Sequence, residues 1–244
     1  MAYNIINLLK SKSFAEPAKI SFEDVFFNRK NILTTFLNSY SYSKARKDYD
    51  LFRQLDYILY DGTFIVIFIN IFLRKSVRRR SFDMTSLAPK LFKHCTKENR
   101  SVFLIGAKQT AIEKAVVHLE TAYPGINIVG FRGGYFESKQ SRSNTIEKIV
   151  NLSPDFLIVG MGTPLQEQFL VEVKNNGWNG IGFTCGGFLH QTSNSLHYYP
   201  KTINKLHLRW LFRLYDEPKL ILRFIKSYSI FPFFFIKDYI KHKK

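Results

Sequence analysis

A chain of 244 residues folds as one large domain or two small ones, and its hydrophobic fraction of 45% is enough for a sizeable core. The formal charge of +17 points to a polyanionic partner: nucleic acid, an anionic membrane or phosphorylated substrates. Two cysteines, Cys95 and Cys185, stand far apart in no motif, which excludes a disulfide framework and a Cys-rich zinc site and fits a reducing cytosol.

Residues 1–30 are polar and weakly patterned, and short strands or loops are expected there. They contain no continuous apolar run of the kind a signal peptide carries. Residues 31–38 read as a strand and 39–51 as a helix bearing Lys44, Arg46 and Lys47. Tyr57–Tyr60 is a second short strand, ending in Asp61-Gly62. Thr63–Leu73 is apolar on all sides, hence a helix that is buried or touches lipid. It is the longest apolar run and is broken by Asn70. A membrane-spanning helix needs about 20 residues, so any membrane contact is expected to be peripheral. Arg74, Lys75, Arg78, Arg79 and Arg80 follow, as a solvated loop or as a phosphate clamp. Residues 84–97 read as a helix.

From Arg100 the alternation is regular. Strands are predicted over 102–106, 126–130, 155–159 and 181–184, with helices over 110–123, 143–152 and from Thr163 to 176. This order implies an α/β fold with a mostly parallel, Rossmann-like sheet flanked by helices. The stretch from Asp155 to Gln168 organises the rest. A buried strand runs into Gly160-Met161-Gly162, and a helix follows. Thr163 suits its N-cap, Pro164 its first position and Gln166 a capping box. Such a helix N-terminus at a strand's carboxyl end suits an anion. A plain turn and cap explain the same residues.

Beyond Pro200 the character changes. Lys201–Lys244 carries eleven Lys and Arg against three acids, interleaved with apolar and aromatic residues. A basic aromatic helical appendage of this kind describes an anchor to an anionic membrane, with Arg209, Trp210, Arg213, Arg223 and Lys226 as the contacts. An ordinary C-terminal helix pair packed on the core is the other reading. A nucleic-acid arm is the least favoured reading, because the segment is too apolar for one that simply tracks phosphates. The domain division expected is therefore 1–205 and 206–244.

Several chemistries are weakly supported. A dinucleotide fingerprint needs a third glycine where Leu165 stands. The six histidines show no metal-ligand spacing. Asp48-Tyr49-Asp50 matches a D-x-D metal motif but lies in a basic helical stretch. Asp61 is the acid of most interest. At a strand end beside an apolar helix, burial would favour a general-base role, although on local grounds an Asp-Gly turn explains it better.

Taken together, several stretches resemble the WecB/TagA/CpsF glycosyltransferases. They are Thr35-Phe36-Leu37-Asn38, Tyr60-Asp61-Gly62, Ser81–Met84, Phe103–Gly106, Tyr123-Pro124-Gly125, Gly133–Phe136, Gly160–Glu167, Gly186-Gly187-Phe188 and the run from Trp210 to Pro218. The resemblance covers residues 30–225. It implies an inverting, metal-independent hexosyltransferase without cofactor. Such an enzyme moves a sugar from a UDP-sugar to a sugar on undecaprenyl diphosphate, peripherally on the cytoplasmic face of the cell membrane. By the same resemblance, Asp61 is the base. Thr35, Asn38, Arg79 (with Arg78 and Arg80 as rivals) and Gln166 contact substrate, and Gly106, Tyr135, Gly160, Gly186 and Gly187 line the nucleotide pocket. The family's aspartate after the Gly-Gly-Phe motif is replaced by Leu189 and His190, so the donor sugar stays open, as does self-association. The competing reading is a non-catalytic basic protein that binds membrane or nucleic acid.

Overall fold

The computed structural model describes residues 4–14, 22–196, 198, 203, 211–212, 215, 218 and 220–243. Its centre is a sheet of six parallel strands: β1 (Ile32–Leu37), β2 (Tyr57–Tyr60), β3 (Ser101–Gly106), β4 (Asn127–Arg132), β5 (Phe156–Gly160) and β6 (Ile181–Thr184), in the order β2-β1-β6-β5-β3-β4. Every pairing is parallel. β1, β5 and β6 are buried along their whole length, which is why they show no alternation of polar and apolar residues, although β1 buries Thr34 and Thr35 and β6 Thr184. The fold is the Rossmann-like α/β architecture expected.

Strand side chains alternate between two cores. On one face Leu33, Leu37, Leu157 and Val159 meet α1 (Ile5–Lys12), α3 (Ser39–Lys47), α5 (Thr63–Leu73), α8 (Lys139–Leu152) and α9 (Leu165–Asn175). On the other, Ile32, Phe36, Phe156, Ile158 and Phe183 meet α2 (Phe22–Phe27), α6 (Leu87–Lys97), α7 (Gln109–Ala122) and α10 (Phe188–Asn194). The abundant phenylalanines fill this second core edge to face, as in Phe14–Phe22, Phe27–Phe156 and Phe82–Phe188.

Three expectations need correction. The N-terminal region holds two helices where strands or loops were anticipated. α1 is capped by Asn4, whose Oδ1 accepts the Ile6 N–H, and it buries Ile5, Ile6, Leu8 and Leu9. Its apolar side is only two turns long, too short to stand out against the flanking polar residues. The helix predicted over 39–51 breaks at Asp48 into α3 and a single turn, α4 (Tyr49–Phe52). The third concerns α9, which starts at Leu165 with Pro164 at the N-cap and no side-chain cap. Thr163 and Gln166 make other contacts, described below.

A last helix, α11 (Leu220–Lys243), lies against α1, α3 and α5, with Phe231 and Phe235 in the core. Asp238 fixes it. Its carboxylate accepts from the Arg46 guanidinium through both oxygens and from the Tyr42 hydroxyl, and its carbonyl accepts from Asn4 Nδ2. Among the described residues no helix is long and apolar enough to cross a membrane.

Candidate active site

The carboxyl ends of the parallel strands converge on a cleft of about 390 Å³. Its wall is built from the segments after β1 (Asn38, Tyr40, Ser41), β2 (Asp61), β5 (Gly160 to Gln166) and β6 (Thr184 to Gly187), with Phe82, Asp83, Tyr135 and Gln191. Ligands of open parallel sheets bind at this edge, because the strand order reverses there and the loops part. Of the residues predicted to act, Asp61, Asn38, Tyr135, Gly160, Gln166, Gly186 and Gly187 meet in this one cleft. Tyr135 is 73% exposed, at the rim.

Asp61 sits directly after β2, and its N–H is donated to the Leu37 carbonyl. The next turn of chain is held by a parallel bridge between Tyr60 and Arg79, in which Arg80 N–H donates to the Tyr60 carbonyl. That bridge brings Arg79 alongside, and its guanidinium donates to Asp61 Oδ1 at 2.8 Å and to Ser81 Oγ at 3.3 Å. Arg79, rather than Arg80, is therefore the arginine at Asp61. Arg80 lies instead over the Phe22 ring, 4.2 Å from its centroid. The burial anticipated for Asp61 is not found, since its side chain is 39% exposed and ion-paired. It lines the cleft, directly before Gly62, the N-cap of α5.

Asn38 is the N-cap of α3. Its Oδ1 accepts the Tyr40 and Ser41 N–H groups, and Ser41 Oγ accepts the Asn38 N–H in return. The carbonyl end is thus committed to the cap, and the Nδ2 amide is the end left for a ligand.

Thr35, Arg79 and Gly106 stand behind the wall and not on it. Thr35 is fully buried, with its hydroxyl donated to Glu167 Oε1 at 2.7 Å and within 2.9 Å of the Thr184 hydroxyl. Gly106 has φ +151°, and a Cβ there would lie 2.4 Å from the Gly160 carbonyl oxygen. It lets β3 and β5 close together and does not touch the pocket itself. At Gly160 a Cβ would meet Cys185 Sγ and the Gly186 carbonyl, each at 2.8 Å.

Gln166 reaches across the cleft edge. Its Nε2 donates to Thr163 Oγ1 and Glu167 Oε1, and its Oε1 accepts the Gly186 N–H at 3.2 Å. This replaces the anticipated capping box. The Gln166 N–H is itself donated to the Gly162 carbonyl, so the α9 terminus offers an anion fewer free donors than the sequence suggests. Glu167, to which no role was given, is wholly buried. Among the described residues no group of three or more His, Cys, Asp or Glu is placed to hold a metal ion. Asp50 of the D-x-D motif pairs with Arg53 on an exposed surface.

A family model described as glycosyl transferase WecG/TagA/CpsF family matches residues 15–244. The chain belongs to this family. Among its relatives is a UDP-Gal:alpha-D-GlcNAc-diphosphoundecaprenol beta-1,4-galactosyltransferase of Shigella boydii, 36% identical over 206 residues, which span 80% of this chain and 86% of the relative. Another is an N-acetylglucosaminyldiphosphoundecaprenol N-acetyl-beta-D-mannosaminyltransferase of Staphylococcus aureus (strain NCTC 8325 / PS 47). It is 28% identical over 236 residues, 94% of this chain and 88% of the relative. The glycosyltransferase is therefore a hexosyltransferase, which sets aside the non-catalytic reading.

The predicted membrane contacts are only partly visible. Arg209, Trp210 and Arg213 lie outside the described residues, as does the Arg223 side chain, while Lys226 is exposed on α11. Leu222, Ile225, Phe233 and Ile240 are exposed on the same helix, and Ile67 and Ile71 on α5. Sequence reasoning missed Thr163, Thr184, Asp83 and Gln191 as cleft residues. Asp83 and Thr163 lie within the Ser81–Met84 and Gly160–Glu167 motifs but were given no place in the cleft, whereas Thr184 and Gln191 carry no local signal and reach it only through sheet order.

Proposed function

We propose that this glycosyltransferase moves a hexose from a UDP-sugar onto a sugar carried by undecaprenyl diphosphate, with inversion and without a metal, in the synthesis of a bacterial surface polysaccharide. The observation that carries the reading is Asp61, an accessible carboxylate held at 2.8 Å by Arg79 on the wall of the cleft at the strands' carboxyl ends. Asp61 takes the proton from the acceptor hydroxyl as that oxygen bonds to the anomeric carbon. The bond from that carbon to the UDP oxygen breaks in the same displacement, and the electron pair leaves with UDP. Arg79 orients the base and adds positive potential near the departing diphosphate, with the Asn38 amide as a further donor. A general base contributes about 10²–10⁴-fold.

The names of the relatives support the acceptor class, and the greater identity to the Shigella boydii galactosyltransferase makes UDP-galactose the first donor to try, with UDP-N-acetylmannosamine next. The exposed apolar and basic residues of α11 support a peripheral position on the inner face of the membrane, where such an acceptor is presented. The test is Asp61→Asn. Transfer to a lipid-linked acceptor should fall by at least ~100-fold while UDP still raises the melting temperature. Retained turnover with lost UDP binding would overturn the assignment of the base.

A further inference from the structure

One buried acid has no part in the transfer described above. Glu167 Oε1 accepts three hydrogen bonds, from Thr35 Oγ1 at 2.7 Å, Gln166 Nε2 at 3.0 Å and Thr163 Oγ1 at 3.2 Å. Its Oε2 is buried with no hydrogen-bond partner among the described residues. The donors come from β1, the loop after β5 and the first turn of α9. Two of them, Thr163 and Gln166, line the cleft, as does Thr184, which touches Thr35. Gln166 spends both Nε2 hydrogens on Thr163 and Glu167. Its carbonyl end is thereby the end presented to the Gly186 N–H. Gly186 has φ +54° and starts the turn into α10, which closes the cleft with Gly187, Phe188 and Gln191. The Gln166 amide is fixed from both ends, by the Gly186 N–H at its oxygen and by Glu167 and Thr163 at its nitrogen, and without an acceptor at Glu167 the buried half of that hold is lost.

We propose that Glu167 is a positioning residue of the transfer reaction: its buried carboxyl orients Gln166, and through Gln166 it holds the Gly186 turn that forms the donor side of the cleft. This rests on the proposed UDP-sugar reading for its kinetic consequence but not for its geometry. Burial pushes the Glu167 carboxyl above the ordinary carboxylate range, offset in part by the bonds from Gln166 and Thr35, its own backbone N–H and Thr163. An orphaned Oε2 is far cheaper in a neutral acid than in a carboxylate. A neutral Gln, with its own carbonyl in the place of Oε1, reproduces the brace.

The experiment compares Glu167→Gln and Glu167→Ala with the parent protein. Amide hydrogen exchange at Gly186, in protein carrying ¹⁵N-glycine, reads the brace without any nucleotide. Calorimetric titration with UDP and the separate KM values for donor and acceptor read its consequence. Glu167→Ala should speed exchange at Gly186 and raise the donor KM by ~10-fold, the effect of one lost buried hydrogen bond, while the acceptor KM stays within ~2-fold. Glu167→Gln should restore both to within ~3-fold. A folded Glu167→Ala protein with Gly186 protection and UDP affinity intact overturns the proposal, and so do equal rises in both KM values. If Glu167→Ala does not fold, Glu167→Gln decides alone, and loss of Gly186 protection in it counts against the proposal. A parent protein that binds no UDP overturns the proposed function, while exchange at Gly186 still judges the brace.

Discussion

Replacing Asp238 with Ala should loosen the last helix by a large and predictable amount. Its carboxylate is 10% exposed and serves two donors at once: the Arg46 guanidinium, itself 24% exposed, and the fully buried Tyr42 hydroxyl. Removing one partner of a fully buried ion pair costs about 3–5 kcal/mol. Arg46 keeps some solvent and lies over the Phe234 ring, 4.3 Å from its centroid, so the lower end of that range applies. The orphaned Tyr42 hydroxyl adds about 1 kcal/mol. The sum is ~3–4 kcal/mol, which for a chain of this size lowers the melting temperature by ~6–16 °C. Circular dichroism melts give the shift, and limited proteolysis should show the C-terminal helix cut first. Arg46→Met in the Asp238→Ala background should cost little more, because the two share one interaction. A loss below ~1 kcal/mol, or full additivity of the two changes, would refute the claim that this cluster holds α11 to α3.

Glu167 gives a pH prediction. With its folded value raised above the ordinary 4.5, the native state holds more protons than the unfolded chain above that pH, so stability falls as pH rises through the folded value and is fully present below 4.5. Glu167→Gln should flatten that decline in melts taken from pH 5 upward, and an unchanged slope would mean the group is ionised throughout. Gly106→Ala should destabilise by about 2–4 kcal/mol, from strain at φ +151° and the 2.4 Å approach to Gly160, whereas Gly162→Ala, in open space at φ +78°, should cost only about 1–2. Equal costs at both positions in denaturant titrations would contradict the close-approach argument. Burial pushes the Cys95 thiol up to about 12 and the Cys185 thiol higher still, so neither should react with iodoacetamide at pH 8 until the protein is unfolded. Native-state labelling detected by mass spectrometry would show that the cores around them open.

Much of the fold was legible because its signals are local. β2, α5 and β6 begin and end where the sequence reading puts them, since each is an apolar run closed by a glycine, a charge or a polar turn. The helices from α6 to α9 were placed within a few residues. The two N-terminal helices were not, because their buried sides face a core contributed by distant strands and only a few apolar residues mark each. The α9 cap failed for a related reason. Thr163 and Gln166 have the right spacing for a capping box, but a buried carboxyl and a Gly186 N–H on another loop compete for the same atoms.

The sequence by itself determined the class of the protein. Composition and the βα alternation led to a parallel α/β fold, and the resemblance of the short motifs, in their order, to a glycosyltransferase family implied the activity and the roles of Asp61, Asn38 and Gln166. Those properties depend on residue type and on spacing along the chain. Only the tertiary structure decided which side chains share a space. Arg79 stands at Asp61, and Arg80 does not, because of a parallel bridge to Tyr60. Thr35 serves Glu167 and not the cleft because strand side chains alternate faces, and β1 lies beside β6 only through the order β2-β1-β6-β5-β3-β4. Residues 38, 61, 166 and 186 line one cleft for the same reason: the crossovers, each too long for local pattern to record, return every strand's carboxyl end to the same edge.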